Sequence, residues 1–264
     1  NSSGASVMSE LTDVTMDATN FTDSLLIQPN SDGSAPTTGT LSSANDNIGI
    51  GKDVFKSLTS GQNNVGIGNT ALDNLTTANS NVAIGPNALD AITTGGGNVA
   101  IGHSAIETGD TETNNTAVGY SAMNGALDGA EYNTAIGSTT LDSLTTGDYN
   151  TGIGFYAGHA LTTGSHNTLL GRGGEVITTG SNNIAIGNSA LDNADTESNN
   201  MAIGYTAMSG AVNGGEYNVA IGNTSLIALT SANACVAIGY GAGSSFTSGG
   251  ENVAVGYNAL TLST

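Results

Sequence analysis

The residues whose type and spacing best suit chemistry are carboxylates. Asp73, Asp90 and Glu107 stand 17 residues apart, and Asp142 and Asp192 hold the same place relative to a recurring glycine. Carboxylates stacked one strand spacing apart repel unless solvent or a cation lies between them, so Asp73, Asp90 and Glu107 are candidate calcium ligands. The Gly-Gly-x-Gly-x-Asp signature of calcium-binding rolls is absent, and the column reads as a solvated acidic stripe. Calcium is therefore the one cofactor considered. His103, His159 and His166 fall at different places in the repeat and show no zinc spacing. No nucleophile elbow, phosphate loop or dinucleotide fingerprint precedes a helix. No coil carries an acidic cluster that its relatives lack, so no catalytic residues are expected and the chain is read as a non-enzyme.

Two further side-chain columns could make contacts. Threonine pairs recur at Thr76-Thr77, Thr93-Thr94, Thr145-Thr146 and Thr162-Thr163. Threonine arrays can order water, but adjacent residues of a strand point to opposite faces, so the pairs read as turn residues. Tyrosines follow the glycine (Tyr120, Tyr205, Tyr240, Tyr257) or precede it by five (Tyr132, Tyr149, Tyr217). Aromatics at coil corners cover a coil edge or a subunit boundary, or stack on sugars to make a receptor or glycan contact.

These columns exist because the chain repeats. The glycine closing each Asn-x-Ala/Gly-Ile/Val-Gly motif recurs from Gly51 to Gly256 at spacings of 16, 17 or 18 residues, thirteen times in all. Before it the pattern alternates with period two, which marks a strand. Val65 and Ile67, or Val82 and Ile84, form a large apolar face, and Asn81, Ala83 and Gly85 a narrow one. Ala-Leu pairs such as Ala71-Leu72 and turns such as Leu144 to Gly147 follow. Glycine, threonine and asparagine recur too often for a helix, so each coil reads as two short strands joined by turns. The expected fold is all-β, a parallel β-solenoid (β-roll or β-helix) of about thirteen 17-residue coils, forming a rod roughly 60 Å long.

The asparagine four before the glycine recurs in every coil but one: Asn47, Asn64, Asn81, Asn98, Asn115, Asn133, Asn150, Asn167, Asn183, Asn200, Asn218 and Asn252. Stacked amides can hydrogen-bond donor to acceptor along the stack, so these read as a structural ladder. Cys235, the only cysteine, takes the asparagine's place in the exceptional coil and reads as a buried packing residue. A longer period overlies the short one: Asp110 to Met123 recurs 85 positions later as Asp195 to Met208. Five coils were duplicated as a block.

Residues 1–46 lie outside the pattern and 47–264 carry it. The first segment, with Leu25-Leu26-Ile27 and a loop-like run from Asp32 to Thr40, is expected to cap or dock the open end of the stack. No comparable cap follows Gly256, which suggests a longer fibre or a covering subunit. Charge narrows the partners: 22 acidic against 3 basic residues give a formal net charge of −19. Such a chain repels phosphate backbones and anionic headgroups, which disfavours nucleic acid and membrane surfaces. The motif strand has apolar residues on one face and alanine or glycine on the other, so both faces look buried. The large face is expected to fill the coil, leaving the small one to meet partner chains in a homotrimer.

The Asn-x-Ala-Ile-Gly blocks at Asn98 to Ala105 and Asn183 to Ala190 resemble the head repeats of trimeric autotransporter adhesins. The 17-residue form with its Leu-Thr-Thr-Gly turn, and the lead-in beginning at Leu11, looks still more like repeat-rich fibre proteins of tailed bacteriophages. The resemblance implies a β-roll with three chains around an axis, in a virion or at a cell surface, beside other fibre or virion proteins. It implies a structural or adhesive fibre segment, a rigid spacer that can bind host-surface glycans. The other readings are a bacterial adhesin head and a polysaccharide-degrading tailspike.

Overall fold

A computed structural model of the chain describes residues 14–18, 20–28 and 38–261, and the structural statements below concern these. Residues 1–13, 19, 29–37 and 262–264 lie outside them, and with them most of the Asp32 to Thr40 run and the start of the lead-in at Leu11. The contacts divide the chain into two compact units, 1–129 and 130–264.

In the first unit, β1 (Val14–Ala18) pairs antiparallel with β2 (Phe21–Ile27). Five three-residue strands follow: β3 (Ile48–Ile50), β4 (Val65–Ile67), β5 (Val82–Ile84), β6 (Val99–Ile101) and β7 (Thr116–Val118). From β2 onward each strand pairs parallel with the next, motif position against motif position, so Val82 lies beside Val99 and Ala83 beside Ala100. The second unit repeats the arrangement in β8 (Thr134–Ile136), β9 (Thr151–Ile153), β10 (Thr168–Leu170), β11 (Ile184–Ile186), β12 (Met201–Ile203), β13 (Val219–Ile221), β14 (Val236–Ile238) and β15 (Val253–Val255). Each unit is a parallel β-solenoid, and no described residue is helical.

Parallel stacking begins earlier than the repeat. Leu25 of β2 pairs with Ile48 of β3, and the Ser24 hydroxyl accepts the Asn47 N–H at 2.9 Å. Ser24 thus heads the asparagine ladder, although no glycine motif surrounds it.

Each motif coil has one strand where two were expected. The Ala-Leu segment turns instead, because the residues two and four after the glycine adopt left-handed backbone: Thr70 has φ 56° and Leu72 φ 57°. A left-handed leucine is sterically costly, by about 1–2 kcal/mol. The fold offsets it by closing a tight corner, in which Leu75 N–H bonds the Leu72 carbonyl, and by burying Leu72 and Leu75 completely. The corners stack coil on coil as the strands do: Leu72 N–H meets the Ala88 carbonyl at 3.2 Å and Thr76 N–H the Thr93 carbonyl at 3.0 Å.

The two strand faces are reversed from expectation. The small residue points into the coil, with Ala83, Ala100, Ala135 and Ala220 fully buried, while the large aliphatics flanking it point out. Ile84 is 36% exposed, Ile101 37% and Ile238 39%. The reason is volume. Leucines and isoleucines from the corners (Leu72, Leu75, Leu89, Ile92, Ile106) already fill the thin interior, leaving room for little beyond a methyl group under the strand. At Gly49 even that space is taken, since a Cβ there would lie 2.6 Å from Val54 Cγ1.

The motif glycine is required on both counts that make glycine irreplaceable. Gly102 has φ 140°, and a Cβ on it would run into the carbonyl oxygen of Gly119 in the next coil.

Candidate functional site

The surface most able to make contacts is the outward strand face. Along β3–β7, and again along β8–β15, the two outward positions of each strand form a ribbon of valine, isoleucine, threonine, leucine and methionine with no charged residue. Eight strands about 4.8 Å apart give the second ribbon a length of ~34 Å from first strand to last. An apolar strip of that extent is unusual on a monomer.

The ladder asparagines tie the successive strands of this face together. The Asn64 backbone N–H donates to Asn47 Oδ1 at 3.0 Å, Asn81 to Asn64 at 2.9 Å and Asn98 to Asn81 at 2.9 Å. In the second unit Asn150 N–H donates to Asn133 Oδ1 at 2.8 Å, and the series runs through Asn167, Asn183, Asn200 and Asn218. The side-chain N–H groups are spent chiefly within the coil: Asn64 Nδ2 bonds the Ala78 carbonyl and Asn98 Nδ2 that of Glu112. Each amide therefore ties its own strand to the next strand and to a corner of its own coil. Asn252, at the end of the series, donates only to the Gly249 and Gly250 carbonyls. Before it stands Cys235, fully buried, whose N–H still meets Asn218 Oδ1 at 2.9 Å but whose thiol offers the next coil no comparable acceptor.

The acidic column is half-buried. Asp73 lies 3.6 Å from the Lys56 ammonium. Burial, reinforced by the charges of Asp73 and Glu107 and opposed by Lys56, pushes the Asp90 carboxyl up to about 6. One buried Asp90 oxygen, Oδ1, has no hydrogen-bond partner. Glu107 Oε1 accepts from Asn87 Nδ2 at 3.1 Å. Burial also raises Asp142, against the lowering effect of His159 with which it pairs, and raises Asp192. Among the described residues no group of three or more His, Cys, Asp or Glu is placed to hold a metal ion.

The threonine pairs divide their labour. The first hydroxyl donates to the backbone of the next coil, Thr76 to the Thr93 carbonyl and Thr145 to the Thr162 carbonyl at 3.0 Å each, while the second residue, Thr77 or Thr146, is exposed.

The histidines stand in columns that the tyrosines and aspartates define. His103 stacks on Tyr120 with ring centroids 5.5 Å apart, at the place just after the glycine. His166 continues the column of Tyr132 and Tyr149, whose rings lie 5.0 Å apart and nearly parallel. His159 occupies the acidic column and pairs with Asp142. Counting from each coil's glycine would have placed all three. Because the stacked rings cover one another's faces, the interior of the column presents ring edges and phenol hydroxyls to solvent.

Two buried acids went unremarked in the sequence. Glu112 and Glu197 stand ten after the glycine, where sibling coils carry Gly61, Ala78, Gly95 or Gly147, and both are buried. Glu112 Oε1 accepts the Gly129 N–H at 3.0 Å, and Glu197 Oε1 accepts the Gly214 N–H at 2.8 Å. Each thereby braces the 18-residue coil that follows it. The signal was the exception to a small residue at a fixed place.

The fold and its faces define a class: a parallel β-solenoid repeat protein with an aliphatic outer ribbon and an amide ladder within. No family model, curated protein or solved structure matches the chain.

Proposed function

We propose that this chain is a structural and adhesive fibre segment of a virion, a spacer whose copies associate with one another, as a homotrimer, along the outward aliphatic ribbon. The ribbon is the observation that carries the reading. In a chain of formal net charge −19, the outward positions of β3–β7 and β8–β15 bear no charge at all. Like-charged copies repel elsewhere on their surfaces, so association is favoured where charge is missing and apolar area can be buried. The contact is made by the large residues of the strand, because the small ones are used inside the coil. The resemblance of the coils to phage fibre and adhesin-head repeats supports the same reading, and the virion setting rests on that resemblance.

Multi-angle light scattering on the purified chain tests it. A species of three chains at micromolar concentration is the expected result; a stable monomer would overturn the proposal.

A further inference from the structure

The outward ribbon is aliphatic at both positions of most strands; in the first unit Thr116 of β7 breaks it, and in the second unit three consecutive coils do. Strands β8, β9 and β10 carry Thr134, Thr151 and Thr168 where β11, β12 and β13 carry Ile184, Met201 and Val219. The threonines are in register, Thr134 beside Thr151 and Thr151 beside Thr168, half-buried on the outward face. Two residues upstream, the same coils carry the stacked rings of Tyr132, Tyr149 and His166. Within the second unit, the threonine row and the unbroken stack of three rings occur together only in these coils.

We infer that the threonine row fixes the register in which a second copy of the chain lies along the ribbon. The inference rests on the self-association proposed above and deepens it. A strip of valine and isoleucine repeated in every coil matches itself as well after a slide of one coil as before, because hydrophobic burial has no direction. Such a surface specifies association without specifying alignment. A hydroxyl behaves differently: buried against a second hydroxyl it is hydrogen-bonded, and buried against isoleucine it is not. Coiled coils set register with one buried polar residue on the same principle.

The consequences can be read coil by coil. A slide of one coil sets Thr168 against Ile184. A slide of two sets Thr151 against Ile184 and Thr168 against Met201, and a slide of three sets the whole row against Ile184, Met201 and Val219. The penalty grows with displacement, so the aligned state is the minimum. A second copy is the occupant this surface fits, because a chain with the same coil repeat stays matched along eight successive strands.

Disulfide trapping tests the inference in full chains that carry Cys235→Ala to remove the native thiol. Ile186→Cys alone reports aligned copies; a mixture of Ile186→Cys and Ile203→Cys chains, one coil apart, reports slipped ones. With the threonine row intact, cross-linking between the two variants should run at about a tenth of that within Ile186→Cys chains. In the Thr134→Val, Thr151→Val, Thr168→Val background the slipped product should rise about tenfold while light scattering still shows an oligomer. A slipped yield unchanged by the three valines, with the oligomer intact, would overturn the register role and leave the fibre reading standing. A monomer in the native background would overturn both.

Discussion

Leu169 occupies the space that Gly158 leaves empty: a Cβ on Gly158 would lie 2.5 Å from Leu169 Cδ1. Gly158 stands four after its motif glycine, where sibling coils carry Leu72, Leu89 or Leu141, and Leu169 stands under the strand, where siblings carry alanine. Leucine and small residue have exchanged places between corner and strand, and Leu169 fills the space beside Gly174 as well.

The exchange predicts a compensating pair. Leu169→Ala should cost about 2–5 kcal/mol in urea denaturation, since it leaves a cavity beneath a glycine. Gly158→Leu alone should overpack the interior. Together they should recover much of the loss, because Leu141 already shows that a leucine at this corner tolerates φ 51°. Additive losses in the double variant would contradict the volume argument.

Asn150→Ala is expected to destabilise the second unit by about 3 kcal/mol. It removes the bond from Nδ2 to the Gly164 carbonyl at 2.9 Å and leaves the buried Asn167 N–H without its acceptor. Cys235→Asn should act oppositely, gaining about 1 kcal/mol by giving the last coil the amide its siblings have. Thermal melting of both variants against the native chain checks the two signs.

Stability should rise as the solution is acidified from neutrality. The Asp90 carboxyl is raised in the folded chain from 3.8 to about 6, so between those values the folded state binds a proton that the unfolded state lacks. That contribution is fully present below pH 3.8 and is lost as pH rises through about 6. Asp73, Asp142 and Asp192 are shifted in the same direction. Asp90→Asn should flatten this part of the profile and stabilise the chain at pH 7 by about 1 kcal/mol, allowing for solvent screening of a half-exposed group. A pH profile unchanged by the substitution would refute the assignment.

A charge on the ribbon should separate association from folding. Ile221→Glu projects outward from β13, so circular dichroism should be retained while the oligomer dissociates, with affinity lower by at least about tenfold. Equal oligomer content in native and variant chains would place the contact elsewhere.

Gly102→Ala should abolish folding of its unit, because the added methyl group meets the Gly119 backbone and its φ of 140° suits glycine alone. Limited proteolysis distinguishes this outcome from a merely weakened coil.

Much of this was legible in the sequence because a solenoid makes each position a column. The glycine spacing revealed the coils, the alternation before it revealed the strands, and the recurring asparagine marked a stack of amides. Other features were equally present but hidden by the choice of comparison: His103, His159 and His166 look scattered until each is counted from its own glycine, and Glu112 and Glu197 stand out only against the small residues of sibling coils.

What the sequence by itself determined is the repeat and its all-β character, since periodicity is a property of the chain. Which strand face turns inward was decided only in three dimensions. Alternation defines two faces without saying which one is covered, and the answer depended on Leu72 and Leu75 reaching back from left-handed corners to fill the interior. Once those side chains occupy the coil, only alanine or glycine fits beneath the strand, and the valines and isoleucines are left outside.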